Sequence, residues 1–528
     1  MTDTVTPTIA ALLAGICGLL VLHASHYNAT VDDAFITFRY SNNLLAGDGP
    51  RWNPGEYPVE GYTSLTWMLL MTVAAMFQQP QTLLANVFGI VAGIAGLIVT
   101  WQLARRIVRN EFLALVAPLL LAADRTYAGW CTGGLETALF TTLVVLGFSR
   151  WREEVSDRSR TPLAGIVFAV ATLTRPEGAM FFVVAVAWTI VRSARGRLPW
   201  RVVVLHALSF VAIVGAHVAW RYSYYGLPLP NTFYCKVNGL YWTSGLAYLL
   251  LFVRDHALVP IVFFGGLAGW LWAWLARDER VDAAAPVALG FVAAQLAYVL
   301  YIGGDIYEFR FMDVVMPLVA IGSVVAIDRV GRRASRVRNR LVLQGIAIAI
   351  ALVGTGGRTL LALHDAASEL EIDRPIAMHV ERLEAQDHPQ PEYLAIGRWL
   401  ARMKRPGDSL AIDAAGVIPY YSGLPTIDLY GLNDAFVASR DVRRRSWPGH
   451  EKRAPPWYVR LRAPTFLVPS IGDAISTEGC PHIKVLRFGA REVCVRIAED
   501  LYFTFGTFNN PTQLIEDLEQ RGADVVTP

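Results

Sequence analysis

Long apolar runs separated by short polar loops fill most of the chain, and near His364 the pattern gives way to ordinary mixed sequence. Uninterrupted apolar runs of this kind read as membrane-spanning helices, each needing roughly 20 apolar residues and fewer where the bilayer thins. The pattern predicts about eleven spans. They fall near Thr8–His23, Leu83–Leu103, Glu111–Ala123, Leu135–Phe148, Leu163–Leu173, Ala179–Val191, Val202–Trp220, Leu258–Trp274, Ala283–Ile302, Val314–Ile327 and Leu341–Gly354. The first lacks a basic flank, so it reads as a retained span rather than a cleaved signal.

The run Ser64–Phe77 is short, ends in uncharged QQPQ and is left out of the count. With it excluded, the loops RRIVRN, RWREEVSDRSR, RSARGRLPWR, RDER and RVGRRASRVRNR all fall on one side. Arginine-rich loops mark the cytoplasmic side. Ser64–Phe77 then becomes a juxtamembrane or re-entrant helix. The loops TGGLET, TRPEG, LPLPNTFYCK and GGDIYEFRF face the other way, as do the segment from Thr30 and the tail after His364. The expected architecture is a polytopic α-helical membrane domain over residues 1–363 and a C-terminal α/β periplasmic domain over 364–528. In the tail, PEYLAIGRWLARM has helical spacing, DSLAIDAAGVIPYYSGLPTIDLYGLND reads strand, turn, short helix, strand, and TFLVPS and REVCVRIA read as strands.

Composition agrees with this picture. Of 528 residues, 54% are hydrophobic and 17% charged, and the mean hydropathy is +0.37. Soluble domains are about 25% charged. Five cysteines with no CxxC spacing exclude a disulfide scaffold and argue against a zinc site. Cys480 and Cys494 form a disulfide if the tail lies outside the cytoplasm, or else remain two buried thiols. No Walker A, GxGxxG, HExxH or GxSxG motif occurs, and no basic aromatic platform points to nucleic acid.

Charges at a membrane edge are costly and mark function by default. Here they gather in one set of loops: Asp32, Asp33, Arg39, Glu60, Glu136, Arg175, Glu177, Arg221, Lys236, Asp305, Glu308 and Arg310. Carboxylates suit proton abstraction from a hydroxyl. Arginine suits bidentate holding of phosphate. This mixture fits a lipid-phosphate substrate and a polar acceptor. Each residue also has a plainer role open to it. Asp32 or Asp33 can cap the helix that runs to Ala46. Arg175 and Glu177 can pair structurally, Lys236 and Arg310 can anchor at the interface, and Asp305 can serve a turn.

In order along the chain come DDAFITFRYSNNLLAGDGPRWNPGEYPVEGYTS, GGLET, LTRPEG, LPNTFYCK, GGD…RF, GVIPYYSG, DLYGLND and PGHE. Through these motifs the sequence resembles the bacterial polyprenyl-phosphate-dependent GT-C glycosyltransferases, in particular the mycobacterial terminal arabinofuranosyltransferase AftB and its relatives. The resemblance runs from Asp32 to about His450 and is most specific in its first block. It implies a GT-C-like membrane core, a catalytic acid in the first exterior loop, and an exterior C-terminal domain. It also implies transfer of a sugar, arabinofuranose in the mycobacterial case, from a polyprenyl-phosphate donor to a cell-envelope glycan. The site would face outward from the bacterial cytoplasmic membrane.

Under this reading Asp33 and Asp32 are the catalytic pair, with Asp32 the helix cap and Asp33 the base. Arg175, Lys236, Arg310 and Arg39 are the donor contacts. Glu60, Tyr62, Glu136, Glu177, Asn231, Asp305, His450 and Glu451 are the substrate contacts. No cofactor is expected, and a metal sharing the charge stabilisation is left open. The alternatives are a flippase for lipid-linked saccharide and a non-catalytic glycolipid-binding protein. Transporters place polar residues near the bilayer midplane in repeated halves, whereas here the charges lie in loops.

Overall fold

The computed structural model describes residues 6–526 apart from 109, 158–159, 238, 256–258, 279–280, 282, 334–340, 343, 351–366, 374–375, 382–389 and 442–450. Two compact units interleave along the chain. One takes Met1–Ala29, Thr82–Val218 and Gly239–Gln386; the other takes Thr30–Gln81, Ala219–Asn238 and Asp387–Pro528.

The first unit is helical, with one antiparallel strand pair, Ala367–Asp373 and Ile376–Glu381. Its first helix, Pro7–Tyr27, starts on Pro7 with the Thr6 hydroxyl accepting the Ile9 N–H. Proline suits the first helical turn, where its missing N–H costs nothing. A helix overlaps each expected segment from Thr8–His23 through Val314–Ile327, with Glu111–Ala123 a pair broken between Ala114 and Val116. Leu341–Gly354 lies partly outside the described residues. By length and composition, four helices among the described residues can cross a membrane: Pro7–Tyr27, Gln81–Val108, Trp200–Tyr225 and Ala284–Ile302. The helix Leu65–Ala75, with 11 residues, falls well short of a span.

Small residues bring the helices together. A side chain at Gly266 would meet the Val319 carbonyl at 2.3 Å, and one at Gly269 the Gly322 carbonyl at 2.0 Å. Val259–Leu275 and Met316–Arg333 therefore pack backbone to backbone, as membrane helices do through small residues. Trp270 Nε1 donates to the Leu318 carbonyl and Ser323 Oγ to that of Val262, tying the same two helices. Leu22, Val91, Leu208 and Val211 point outward, 59–74% exposed, as lipid-facing side chains would.

The second unit is built on a mixed sheet. Thr426–Asp428, Leu410–Ile412 and Phe466–Val468 run parallel, in that order; Leu501–Thr507, Arg491–Ala498 and Asp524–Val526 continue antiparallel. The tail elements expected from the pattern are present. PEYLAIGRWLARM is the helix Pro391–Met403, and REVCVRIA is the strand Arg491–Ala498. The helix buries Ile396, Trp399 and Leu400 in the sheet core with Phe503 and Phe505. A smaller core joins Ile36, Tyr40, Trp52, Tyr62, Met68 and Tyr225 to Ala415 of the tail.

Cys480 and Cys494 are bonded across a separation of 14 residues. A loop of about 15 residues contributes roughly 3 kcal/mol by restricting the unfolded chain. Alkylation of the unfolded, unreduced protein followed by mass measurement should label Cys17, Cys131 and Cys235 alone, and all five cysteines after reduction. Labelling of all five without reductant would contradict the bond.

Candidate active site

The helix Asp32–Leu45 starts after extended Val31, and no side chain caps it. The expected assignment of Asp32 as the cap of its own helix is therefore corrected. Both aspartates lie inside the first turn, where negative charge is stabilised by the helix dipole. Asp32 does cap, but a different helix. Its carboxylate accepts the N–H of Gly416 at 3.0 Å and of Val417 at 2.8 Å, at the start of the tail helix Val417–Ser422. The approach is so close that a Cβ at Gly416 would lie 2.1 Å from the Asp32 carbonyl oxygen and 2.5 Å from its carboxylate. Only glycine allows it.

Asp33 projects about 100° away around the helix. It is half-buried, and among the described residues no hydrogen bond or ion pair engages its carboxylate. Burial pushes the Asp32 carboxyl up to about 7, against the pull of the Val417 N–H and with a further push from the charge of Asp33. Asp413, at the carboxyl end of the strand Leu410–Ile412, is the third acid here. It accepts the Ile471 N–H at 3.0 Å, and burial pushes it up to about 6. Asp413 was not among the expected residues; its signal was an acid directly after a short apolar strand. Loops at the carboxyl ends of parallel strands are where ligands bind in open α/β sheets. With Leu410–Ile412 central, the strands to either side belong to connections that diverge at this edge.

Arg39 is corrected from donor contact to structural clamp. It is buried, and it donates to the carbonyls of Trp52, Pro419 and Leu424 and to Asn53 Oδ1 at 2.7–3.0 Å. Its guanidinium lies 4.3 Å from the Trp52 ring. Glu60, Tyr62 and Asn231 are likewise drawn inside. Glu60 holds Arg221 through two bonds of 2.6 and 3.0 Å. The Tyr62 hydroxyl meets that of Tyr225 at 3.2 Å, and Asn231 Nδ2 donates to the carbonyls of Gly431 and Leu432. All three are at most 3% exposed, so none presents a free group to a substrate. Their polarity is spent satisfying backbone and charge that burial would otherwise leave unpaired. Glu451 is buried, and His450 lies outside the described residues. Lys236 ends the helix Asn231–Lys236; it is half-buried and has no carboxylate partner among the described residues.

The first unit gathers the other expected residues around one ring. Arg175 pairs with Glu136 at 2.9 Å and Glu177 at 2.5 Å. Arg310 pairs with Asp305, whose other oxygen accepts the Ile306 N–H. Both guanidiniums lie against Phe311, at 5.1 and 5.5 Å. Next to them, Trp130 Nε1 donates to the Glu308 carbonyl, and the Glu308 carboxylate pairs with Arg125 at 2.5 Å. Arg125 was missed; the charged DR pair shortly before TGGLET was its signal. Among the described residues, no group of three or more His, Cys, Asp or Glu is placed to hold a metal.

Comparison with known proteins bears on this arrangement. A family described as a domain of unknown function (DUF8728) matches residues 378–511. The terminal β-(1→2)-arabinofuranosyltransferase of Mycobacterium tuberculosis is 29% identical over 250 residues, 44% of this chain and 39% of that protein. Its namesake from Corynebacterium glutamicum is 27% identical over 369 residues, 62% of this chain and 52% of that protein. The chain thus spans about half the length of the curated relatives it matches, or less. These relatives carry the name to which the motif resemblance pointed. Among solved structures, ArnT from Cupriavidus metallidurans bound to undecaprenyl phosphate superposes with a TM-score of 0.60 at 14% identity, covering 96% of this chain and 99% of that one. The apo form of the same protein gives 0.56, with 94% and 97% covered. At this identity the likeness to ArnT is one of fold.

Proposed function

We propose that the chain transfers arabinofuranose from a polyprenyl-phosphate donor to a cell-envelope glycan, on the periplasmic face of the bacterial cytoplasmic membrane. The observation that carries this reading is the division of labour between Asp32 and Asp33. One carboxylate is fixed by two tail amides; its neighbour on the same helix turn has no hydrogen-bond or ion-pair partner among the described residues. The relatives' names support the sugar and the transfer. The ArnT structure bound to undecaprenyl phosphate supports a lipid-phosphate donor. The arginine-rich loops support the orientation, and the Cys480–Cys494 bond agrees with a tail in an oxidising compartment.

The chemistry needs no nucleotide, because the donor phosphate is already a good leaving group. The acceptor oxygen forms a bond to the anomeric carbon while the bond from that carbon to the phosphate oxygen breaks. The electron pair departs with the phosphate, and Asp33 takes the acceptor's proton. Lys236 is assigned to the phosphate charge. Arg175 and Arg310 are assigned to donor binding as well, each pre-oriented by its carboxylates, with one amino group of Arg175 having no partner among the described residues. Such fixed charges stabilise developing negative charge without reorganising. Glu136, Glu177 and Asp305 then act by holding the two arginines.

Purified Asp33→Asn, given labelled polyprenyl-phosphate arabinofuranose and a glycan acceptor, should still bind donor while transfer falls by about 10²–10⁴-fold, the usual worth of a general base. Asp32→Asn should lose much less, because its amide oxygen still accepts from one of the two tail N–H groups and Asp33 is left in place. Full transfer by folded Asp33→Asn would remove the proposed base.

Asp32 also sets a pH dependence. Its folded value near 7 lies above the unfolded value of about 3.9, so the folded chain holds this proton more tightly. Its contribution is fully present below about pH 4 and is lost as pH rises through about 7. Thermal unfolding across that range should show wild type losing stability relative to Asp32→Asn. Parallel profiles for the two proteins would contradict the assignment.

A further inference from the structure

The second unit carries an apolar face that its own core does not use. On the helix Pro456–Arg462, Trp457 and Leu461 are four residues apart and so share a face; they are 51% and 76% exposed. Phe436, 37% exposed, lies edge-on to Trp457 at 5.4 Å and stacks on Tyr458 at 4.4 Å. Arg440 lies over Phe436 at 6.0 Å. Neither Arg440 nor Arg460 has an ion-pair partner among the described residues, whereas Arg462 is held by Glu56 at 2.7 Å.

Contiguous apolar surface of this kind marks an interaction site. Flat rings alone would fit a sugar, but the most exposed member is aliphatic Leu461, which offers no stacking surface. The Tyr458 hydroxyl beside the rings is already engaged, donating to Asp434 at 2.8 Å and accepting from Arg462 at 3.2 Å. Tryptophan with arginine is the composition of a membrane–water interface, and basic residues near an anionic leaflet add about 1 kcal/mol each. We propose that this face docks on an anionic bilayer surface, with Trp457, Leu461 and Phe436 at headgroup depth and Arg440 and Arg460 against lipid phosphates. The proposal is independent of the catalytic reading.

The test uses the full chain as Leu461→Cys, labelled with an environment-sensitive fluorophore and placed in nanodiscs with brominated acyl chains. One set of discs is phosphatidylcholine; the other is an equal mixture with phosphatidylglycerol. The parent chain, labelled in parallel, corrects for its own cysteines, and an intact Cys480–Cys494 bond reports folding. Strong quenching in the mixed discs, weaker in phosphatidylcholine, is expected. Arg440→Glu with Arg460→Glu should release the label, since each basic residue is worth about fivefold at about 1 kcal/mol. A label unquenched in both lipids, and as open to aqueous iodide as free dye, would overturn the proposal. So would shielding that appears only when soluble glycan is added.

Discussion

A single carboxylate facing two backbone amides is the constraint on which the proposed site depends. Asp32 closes the start of the helix Val417–Ser422, and the chain between these partners is more than three hundred residues long. The bond is short-range and directional, so it fixes the rotation of the helix Asp32–Leu45 as well as its position. Two helical turns on, Arg39 repeats the fixation through the carbonyls of Pro419 and Leu424. Phe35 fills the space between them, 5.3 Å from Tyr420 and 5.8 Å from Tyr421. A catalytic side chain must be held to within a fraction of an ångström to work. Asp33 inherits that precision from neighbours on either side.

The remaining buried charge follows a common rule. A charge removed from water is tolerated when it is paired and hydrogen-bonded. Glu60 with Arg221, Arg175 with two glutamates, and Arg310 with Asp305 all obey it. Such pairs define shape more than they add stability, because desolvation offsets much of their attraction. By the same reasoning, Asp33 and Lys236 stand out as the half-buried charges among the expected residues that nothing described neutralises.

The sequence made one level of this legible and hid another. Apolar runs predicted helix positions closely, because burial and the apolar period act locally: Ala283–Ile302 became Ala284–Ile302, and REVCVRIA is a strand residue for residue. Membrane crossing was less readable, since helices such as Ala164–Thr174 are apolar but only 11 residues long. The motif resemblance found the acidic pair, yet it could not tell a reacting charge from a clamping one. Arg39 and Glu60 look like site residues in sequence, because a buried ion pair and a substrate contact use the same side chains. What separates them is a partner far along the chain, as Pro419 is for Arg39 and Arg221 for Glu60. Gly416 was read only as the start of a turn and motif; its need for glycine comes from the approach of Asp32.

Hydrogen–deuterium exchange on the full chain tests the central interaction most directly. With Asp32→Ala, the amides of Gly416 and Val417 lose their acceptor, while those of the strand Leu410–Ile412 keep their ladder partners on both sides. Faster exchange is expected, confined to the peptide containing Gly416 and Val417. Unchanged protection there would mean that Asp32 does not hold these amides, and the proposed fixation of Asp33 would fall with it.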